Sequence, residues 1–238
     1  MVDQPSDTAS RPQSASIPRW RFFLDTIATG AMILAAAVLI YANWPKPKPP
    51  SGVPKDSIPL GGALTIGQPA AELGMIVYSD FQCPFCGTFA RDILPSLERD
   101  FVASGKLLIA FRHFPLEGIH PDAMRAAQGA ECAGQQGQFK AMHDSLFAAQ
   151  GSLAGDSLIT RAKDIGIDNA DFRRCLDGTT EAKIRAEAKE AQALGVSSTP
   201  TFFIGRMDGH GRLQAENRIS GAKPLNEFQQ ILNNLVKK

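Results

Sequence analysis

Two cysteines with two residues between them, Cys83-Pro84-Phe85-Cys86, are the side chains in this sequence best suited to covalent chemistry. A pair at that spacing can close a disulfide, open it against a second disulfide, and close it again. The neighbouring sequence sharpens the reading. An apolar run over 74–79 is predicted to be a strand, 80–82 a brief turn, and a helix opens at about Pro84. Cys83 then stands at a helix N-terminus, where unpaired backbone N–H groups and the dipole favour the thiolate, the species that attacks a disulfide. Cys86 lies one turn inside, placed to resolve a mixed disulfide. Pro84 occupies the first helical position, where its missing N–H costs nothing. Zinc is the competing chemistry for this spacing, but it needs a second close pair of ligands. The other two of the four cysteines, Cys132 and Cys175, are far apart, and no histidine lies near either at finger spacing. A bridge purely for stability would normally close a longer loop. No metal and no cofactor are expected.

A second signal is Thr199-Pro200, immediately before the apolar run Thr201-Phe202-Phe203. Alone it reads as a strand-entry proline; beside a Cys-x-x-Cys pair the cis form is expected. Asp80 reads first as a turn-forming aspartate and second as a carboxylate near the thiol that assists proton transfer. His113, His120, His143 and His210 show no mutual spacing for a metal or a triad and are read as structural, although His113 and His120 fall close to the expected site.

The elements that must position these residues alternate. Strands are predicted at 63–67, 74–79, 107–111, 201–204 and 218–220. A helix over 84–104 carries Phe85, Phe89, Ile93, Leu97 and Phe101 on one face, kinks at Pro95 and ends at Gly105. The middle, 122–194, is helical in composition, with helices at 123–133, 139–148, 158–165, 171–176 and 181–194, and 224–236 closes the chain. In that middle, Arg185–Lys189 alternate with Glu181, Glu187 and Glu190 and read as the solvated face of a helix. The class is α/β, interrupted by an all-helical excursion.

The chain has 238 residues and a formal net charge of +1, which removes the electrostatic reason to expect nucleic acid. Its one long apolar run is 22–44, with Asp25 near the start and no charge after it until Lys46. At ~1.5 Å per residue this run can cross a hydrocarbon core of about 30 Å. Trp20, Tyr41 and Trp44 fall where interfacial aromatics sit. A cleaved signal peptide competes, but its core of about 7–15 residues opens a chain and does not follow a polar tail. The expectation is an uncleaved anchor at 22–44, after a disordered tail at 1–21 and before a proline-rich linker at 45–60. Arginines before the run and lysines after it leave its orientation open.

Ser79–Cys86 (SDFQCPFC), Glu131-Cys132-Ala133, Gln138–Phe147 (QFKAMHDSLF) and Ser198–Gly205 (STPTFFIG) together resemble the DsbA-like thioredoxin family, over roughly residues 61–235. The resemblance implies a thioredoxin fold at 61–238 with an inserted helical domain at about 117–194. It implies catalysis by Cys83 and Cys86, with Pro84, Phe85, Thr199 and cis-Pro200 supporting the site and meeting substrate. It also implies a thiol:disulfide oxidoreductase that forms or exchanges disulfides in secreted or periplasmic proteins and is recharged by a membrane redox partner, DsbB-like or DsbD-like. A single-pass protein of the bacterial inner membrane follows, with residues 1–21 inside, the catalytic domain outside, and the molecule monomeric. A reductase or isomerase kept reduced by a membrane donor is the alternative, and a non-enzymatic tethered peptide-binding module is a third. Cys132 and Cys175 are either two buried thiols or a structural disulfide of the kind some related sequences carry. Strongly oxidising members place histidine where this chain has Phe85, which opens the question of its redox poise.

Overall fold

Strand β3 (Leu73–Ser79) is apolar along its length because both of its faces are covered. Met75 and Val77 point into one core, Ile76 and Tyr78 into the other, the period-two alternation of an extended chain. Its neighbours repeat the pattern. In β4 (Leu107–His113), Ile109 and Phe111 join the first core while Leu108 and Ala110 join the second; in β5 (Thr201–Met207), Phe202 and Ile204 oppose Phe203. With β1 (Ile58–Pro59), β2 (Leu64–Ile66) and β6 (Arg212–Ser220) these form one six-stranded sheet in the order β1-β6-β5-β3-β4-β2. Only β3 and β4 pair in parallel. The computed structural model describes residues 19–43, 52–153, 155–178 and 180–237, with side chains described from Gly30 onward.

The helix after β3 begins as α2 (Pro84–Thr88), passes through a π turn at Phe89–Ile93, continues as α3 (Leu94–Leu97) and ends in a second π turn at Glu98–Val102. Pro95 accounts for the first irregularity: without an N–H it cannot bond the carbonyl one turn back, and its ring crowds that carbonyl, so the backbone widens ahead of it. Phe89, Ile93, Leu97 and Phe101 are buried as their spacing requires, whereas Phe85, grouped with them by the same spacing, is exposed in the first turn. Phe89 packs on Phe202 and on Phe228 of the closing helix α9 (Leu225–Val236), at ring-centroid distances of 4.7 and 5.8 Å.

Between β4 and β5 run five helices: α4 (Ala123–Gln135), α5 (Phe139–Ala148), α6 (Ser157–Asp164), α7 (Asn169–Leu176) and α8 (Thr180–Ala193). Asp168 caps α7, its carboxylate accepting the N–H groups of Ala170 and Asp171. A disulfide joins Cys132 in α4 to Cys175 in α7, with their Cα atoms 5.7 Å apart.

Three sequence readings are corrected. The linker read as reaching residue 60 stops earlier, because Ile58 and Pro59 pair with Leu213 and Arg212, and the Arg212 guanidinium holds the Ser57 hydroxyl and carbonyl; an edge strand tolerates the proline that made this stretch look like tether. The last strand begins at Arg212, not 218; its exposed Gln214 and Glu216 alternate with buried Leu213 and Ala215. The charged stretch of α8 is only half solvated. Arg185 does pair with Glu181 at the surface, but Glu187 is buried. It accepts from the Arg112 guanidinium at 3.2 Å and from the His113 N–H at 2.8 Å, while Glu190 accepts the Tyr78 hydroxyl at 2.7 Å. Burial and Glu190 together raise the Tyr78 pKa.

The N-terminal segment is described by itself. Helix α1 covers Arg19–Ala42, and its described side chains Met32, Ile33, Leu34, Val38, Leu39 and Ile40 are exposed. Among the described residues no helix is long and apolar enough to cross a membrane; the stretch with described side chains is shorter than the roughly 20 residues a span requires. Residues 1–18 of the tail and 45–51 of the linker lie outside the described residues.

Candidate active site

The end of β3 and the start of α2 place the cysteine pair as the sequence suggests. Cys83 is the N-cap of α2 with extended backbone, and Pro84 is the first helical residue. Both cysteines are free and buried. The Cys83 thiol donates to the Thr199 carbonyl at 3.4 Å, which brings the loop before β5 against the reactive sulfur, and the Thr199–Pro200 bond is cis. The Asp80 N–H donates to Cys86 Sγ at 3.5 Å. Phe85, between the two, is 65% exposed and contributes only its backbone.

The two sulfurs differ sharply in acidity. The Cys83 pKa is lowered from the usual 9.0 to about 5, first by the hydrogen bond from the Cys86 thiol, then by Thr199 and by the N–H groups of Cys86 and Phe85. These outweigh its partial burial, and the two N–H groups among them are unpaired donors of a helix N-terminus. Cys86 moves the other way. Burial pushes its thiol well above the usual value, and the neighbouring Cys83 sulfur adds to that. The surroundings thus favour the thiolate at Cys83 and the protonated thiol at Cys86.

Asp80 is the turn-forming aspartate of the first reading, and the structure gives its carboxylate no contact with either sulfur. Its side chain is fully enclosed; one oxygen accepts the Gln82 N–H, closing the turn, and the other accepts the Leu116 N–H and pairs with His120 Nδ1, each at 2.8 Å. It thereby ties the cysteine turn to the loop leading into α4. Gln82 adds two bonds to Asp122, receiving its N–H and donating to its carboxylate. His120 borders the site; His143 is a packing residue among Phe81, Phe111, Phe139 and Phe147, its pKa lowered by burial. His113, opposite Ser79 in the sheet, pairs with Glu131 at 3.2 Å.

His113, Glu131 and Glu187 are close enough together to suggest a cation site. The two carboxylates already face Lys183 at 2.6 Å and Arg112 at 3.2 Å, so a metal ion would have to compete with two resident cations. The cluster reads as a charge network that fastens α4 and α8 to the end of β4, with His113 Nε2 and Glu131 Oε1 facing each other outside hydrogen-bond geometry.

Sequence reasoning missed Gln150 and Arg91. The Gln150 carboxamide, just beyond α5, donates to the carbonyls of Phe81 and Cys83 at 2.8 and 2.9 Å, and Arg91 donates to Gln150 Oε1 and to the Phe147 carbonyl. One sequence trace existed: a Cβ at Gly87 would fall on Gln150 Oε1 and lie 2.7 Å from Arg91 Nη1, so glycine leaves the room they occupy.

A family model described as Thioredoxin matches residues 60–220. Among solved structures, Wolbachia pipientis alpha-DsbA1 superposes with a TM-score of 0.66 at 27% identity, covering 75% of this chain and 92% of that one. Oxidised BdbD from Bacillus subtilis superposes at 0.67 and 20% identity, covering 79% and 100%, a likeness of fold. Among curated proteins, a Na(+)/H(+) antiporter NhaA 1 of Salinispora arenicola is 37% identical over 151 residues, which cover 63% of this chain and 22% of that protein. Another of that name from Mycolicibacterium gilvum is 31% identical over 201 residues, covering 79% and 32%. The chain thus spans roughly a fifth to a third of these relatives.

Proposed function

We propose that this chain, which belongs to the thioredoxin family and has the DsbA-like form of its fold, is a thiol–disulfide oxidoreductase that donates disulfides to extracytoplasmic proteins. The observation that carries the reading is the placement of the pair. Cys83 caps the N-terminus of α2 with its sulfur against the Thr199 carbonyl and the cis Thr199–Pro200 bond, and Cys86 is buried one turn inside, a setting that lowers the Cys83 pKa and raises that of Cys86. A dithiol whose reduced form is stabilised as a thiolate gives an oxidising disulfide.

The reaction balances on these two sulfurs. In the oxidised protein a client thiolate attacks Cys83 Sγ; the Cys83–Cys86 bond breaks, and Cys86 leaves with the electron pair and takes a proton, as its raised pKa requires. A second client thiolate then attacks the client's own sulfur in the mixed disulfide. Cys83 departs as a thiolate, a good leaving group because its pKa is low. The client has lost two electrons and the protein has gained them. The carbonyl of Thr199 beside Cys83, and the exposed ring of Phe85, supply the surface a client backbone and side chains would meet. Transport is not carried over from the antiporters, since the likeness covers only a small part of them.

The same proposal places the chain in the bacterial inner membrane through residues 22–44, with the catalytic domain on the periplasmic side, where a membrane redox partner reoxidises it. The exposed apolar residues of α1 support the anchor, because such a surface is stable only against lipid or protein. The test is oxidation of a reduced two-cysteine peptide by the oxidised full chain in detergent, with insulin reduction run beside it. Rapid peptide oxidation and weak insulin reduction are expected; the reverse identifies a reductase, and neither leaves a binding module. Protease added to spheroplasts is expected to digest the folded domain; protection of the domain would overturn the orientation.

A further inference from the structure

The cysteine pair lies at the junction of β3 and α2, yet the Phe81–Gln82 and Cys83–Pro84 peptide planes are held by a residue that follows a helix of the insert. Gln150 follows α5, and its single carboxamide bonds two carbonyls on either side of the reactive residue, Phe81 O at 2.8 Å and Cys83 O at 2.9 Å. The second of these matters most. The Cys83–Pro84 peptide has no N–H, so within the backbone it can be fixed only through its oxygen. That oxygen accepts the Gly87 N–H at 3.1 Å as part of the helix, and Gln150 uses its remaining lone pair.

The tilt of this plane sets where the first N–H groups of the helix point. Those of Phe85 and Cys86 are among the donors that hold the Cys83 sulfur as an anion. Arg91 determines which end of the carboxamide faces the carbonyls: its guanidinium donates to Gln150 Oε1 at 3.2 Å, leaving only the NH2 group for Phe81 and Cys83. The arrangement is closed sterically, because a side chain at Gly87 would occupy the position of Gln150 Oε1.

We infer that Gln150 is a positioning residue for the Cys83 thiolate, making the helical insert part of the redox machinery. The inference rests on the oxidoreductase reading for its biological use, though not for its measurement. Three variants of the full chain test it: Gln150→Met, which keeps length and packing but removes the donors; Gln150→Glu, which turns an acceptor toward the carbonyls; and Gly87→Ala, which displaces the carboxamide without touching its chemistry. The readout is the rate at which Cys83 is alkylated by iodoacetamide in the reduced protein across the pH range, because a merely structural role would change the melting temperature and leave this profile in place.

Wild-type protein is expected to titrate near pH 5. Gln150→Met and Gly87→Ala are each expected to alkylate about three- to tenfold more slowly at that pH, the effect of losing the one bond that reaches the Cys83 carbonyl, with Gln150→Glu slower still. The double variant Gly87→Ala with Gln150→Met is expected to be no slower than either single one, since both remove the same contact. Unchanged profiles in Gln150→Met and Gln150→Glu overturn the inference, as does strict additivity in the double variant. If the wild type oxidises no peptide while its profile still depends on Gln150, the oxidoreductase reading fails and the positioning role stands.

Discussion

The molecule carries two pairs of cysteines in opposite settings. Cys83 and Cys86 open a helix and are free; Cys132 and Cys175, 43 residues apart in sequence, are bridged. Both bridged cysteines fall in the last turn of their helices, α4 and α7, where carbonyls are unpaired and the dipole disfavours an anion. Cys83 stands at the opposite pole of its helix, where N–H groups are unpaired. The same functional group is thus placed where a thiolate is stabilised in one region and where it is penalised in the other. Reactivity here belongs to the end of the helix on which a sulfur sits, and the bridge across α4 and α7 is protected by the placement that makes its sulfurs poor nucleophiles.

The contrast is broken most completely at the sulfurs themselves. Cys83→Ser is expected to abolish peptide oxidation, whereas Cys86→Ser is expected to accumulate client mixed disulfides through Cys83, visible on non-reducing gels and released by dithiothreitol; equal trapping by Cys83→Ser would reverse the assignment. Next in size is removal of the second pair. Cys132→Ala with Cys175→Ala is expected to cost about 2–4 kcal/mol in denaturant unfolding while leaving the Cys83 alkylation profile in place. A shift in that profile would mean that the two regions are not separable.

The third expectation concerns pH. The Cys83 pKa is depressed on folding, from 9.0 to about 5. Between those values the folded protein has released a proton that the unfolded chain still binds, so the reduced form gains stability as pH rises through that window and loses it as pH falls toward 5. The oxidised form has no such thiol. The gap between the melting temperatures of the reduced and oxidised proteins is therefore expected to widen in favour of the reduced form as pH rises from about 5 toward 9. A gap independent of pH would refute the thiolate assignment. The smallest effect is expected at Phe85, whose exposed ring offers neither charge nor a hydrogen bond. Phe85→His is expected to lower the Cys83 pKa and raise the reduction potential, on the order of 30 mV for about 1.4 kcal/mol of added thiolate stabilisation, read by equilibration against glutathione. No change, or a more reducing potential, would leave the poise to the Thr199 loop and the helix terminus.

Much of this was legible in the sequence because it is local. A strand, a turn and a helix follow one another through Asp80 and Cys83, and the apolar periods of β3 and of the helix after it name their own buried faces. What escaped is what the fold brings from a distance. Glu187 sits among alternating charges and looks solvated until Arg112 and His113 arrive from β4 to bury it. Ile58 and Pro59 look like tether until β6 returns to pair with them. Gln150 carries no pattern of its own; its role exists only because α5 ends beside the Phe81–Cys83 turn.

The register of the sheet also sets an order of assembly. Tyr78, just ahead of the cysteine turn, pairs with Thr201 across the entire helical insert, so β5 reaches β3 only after all five insert helices have been made. Such non-local pairings are slow to form. A chain emerging from its N-terminus has therefore released all four cysteines before the strand that seats Thr199 against Cys83 exists. During that interval the correct partners must be chosen by the insert alone, through the packing of α4 on α7 that brings Cys132 to Cys175.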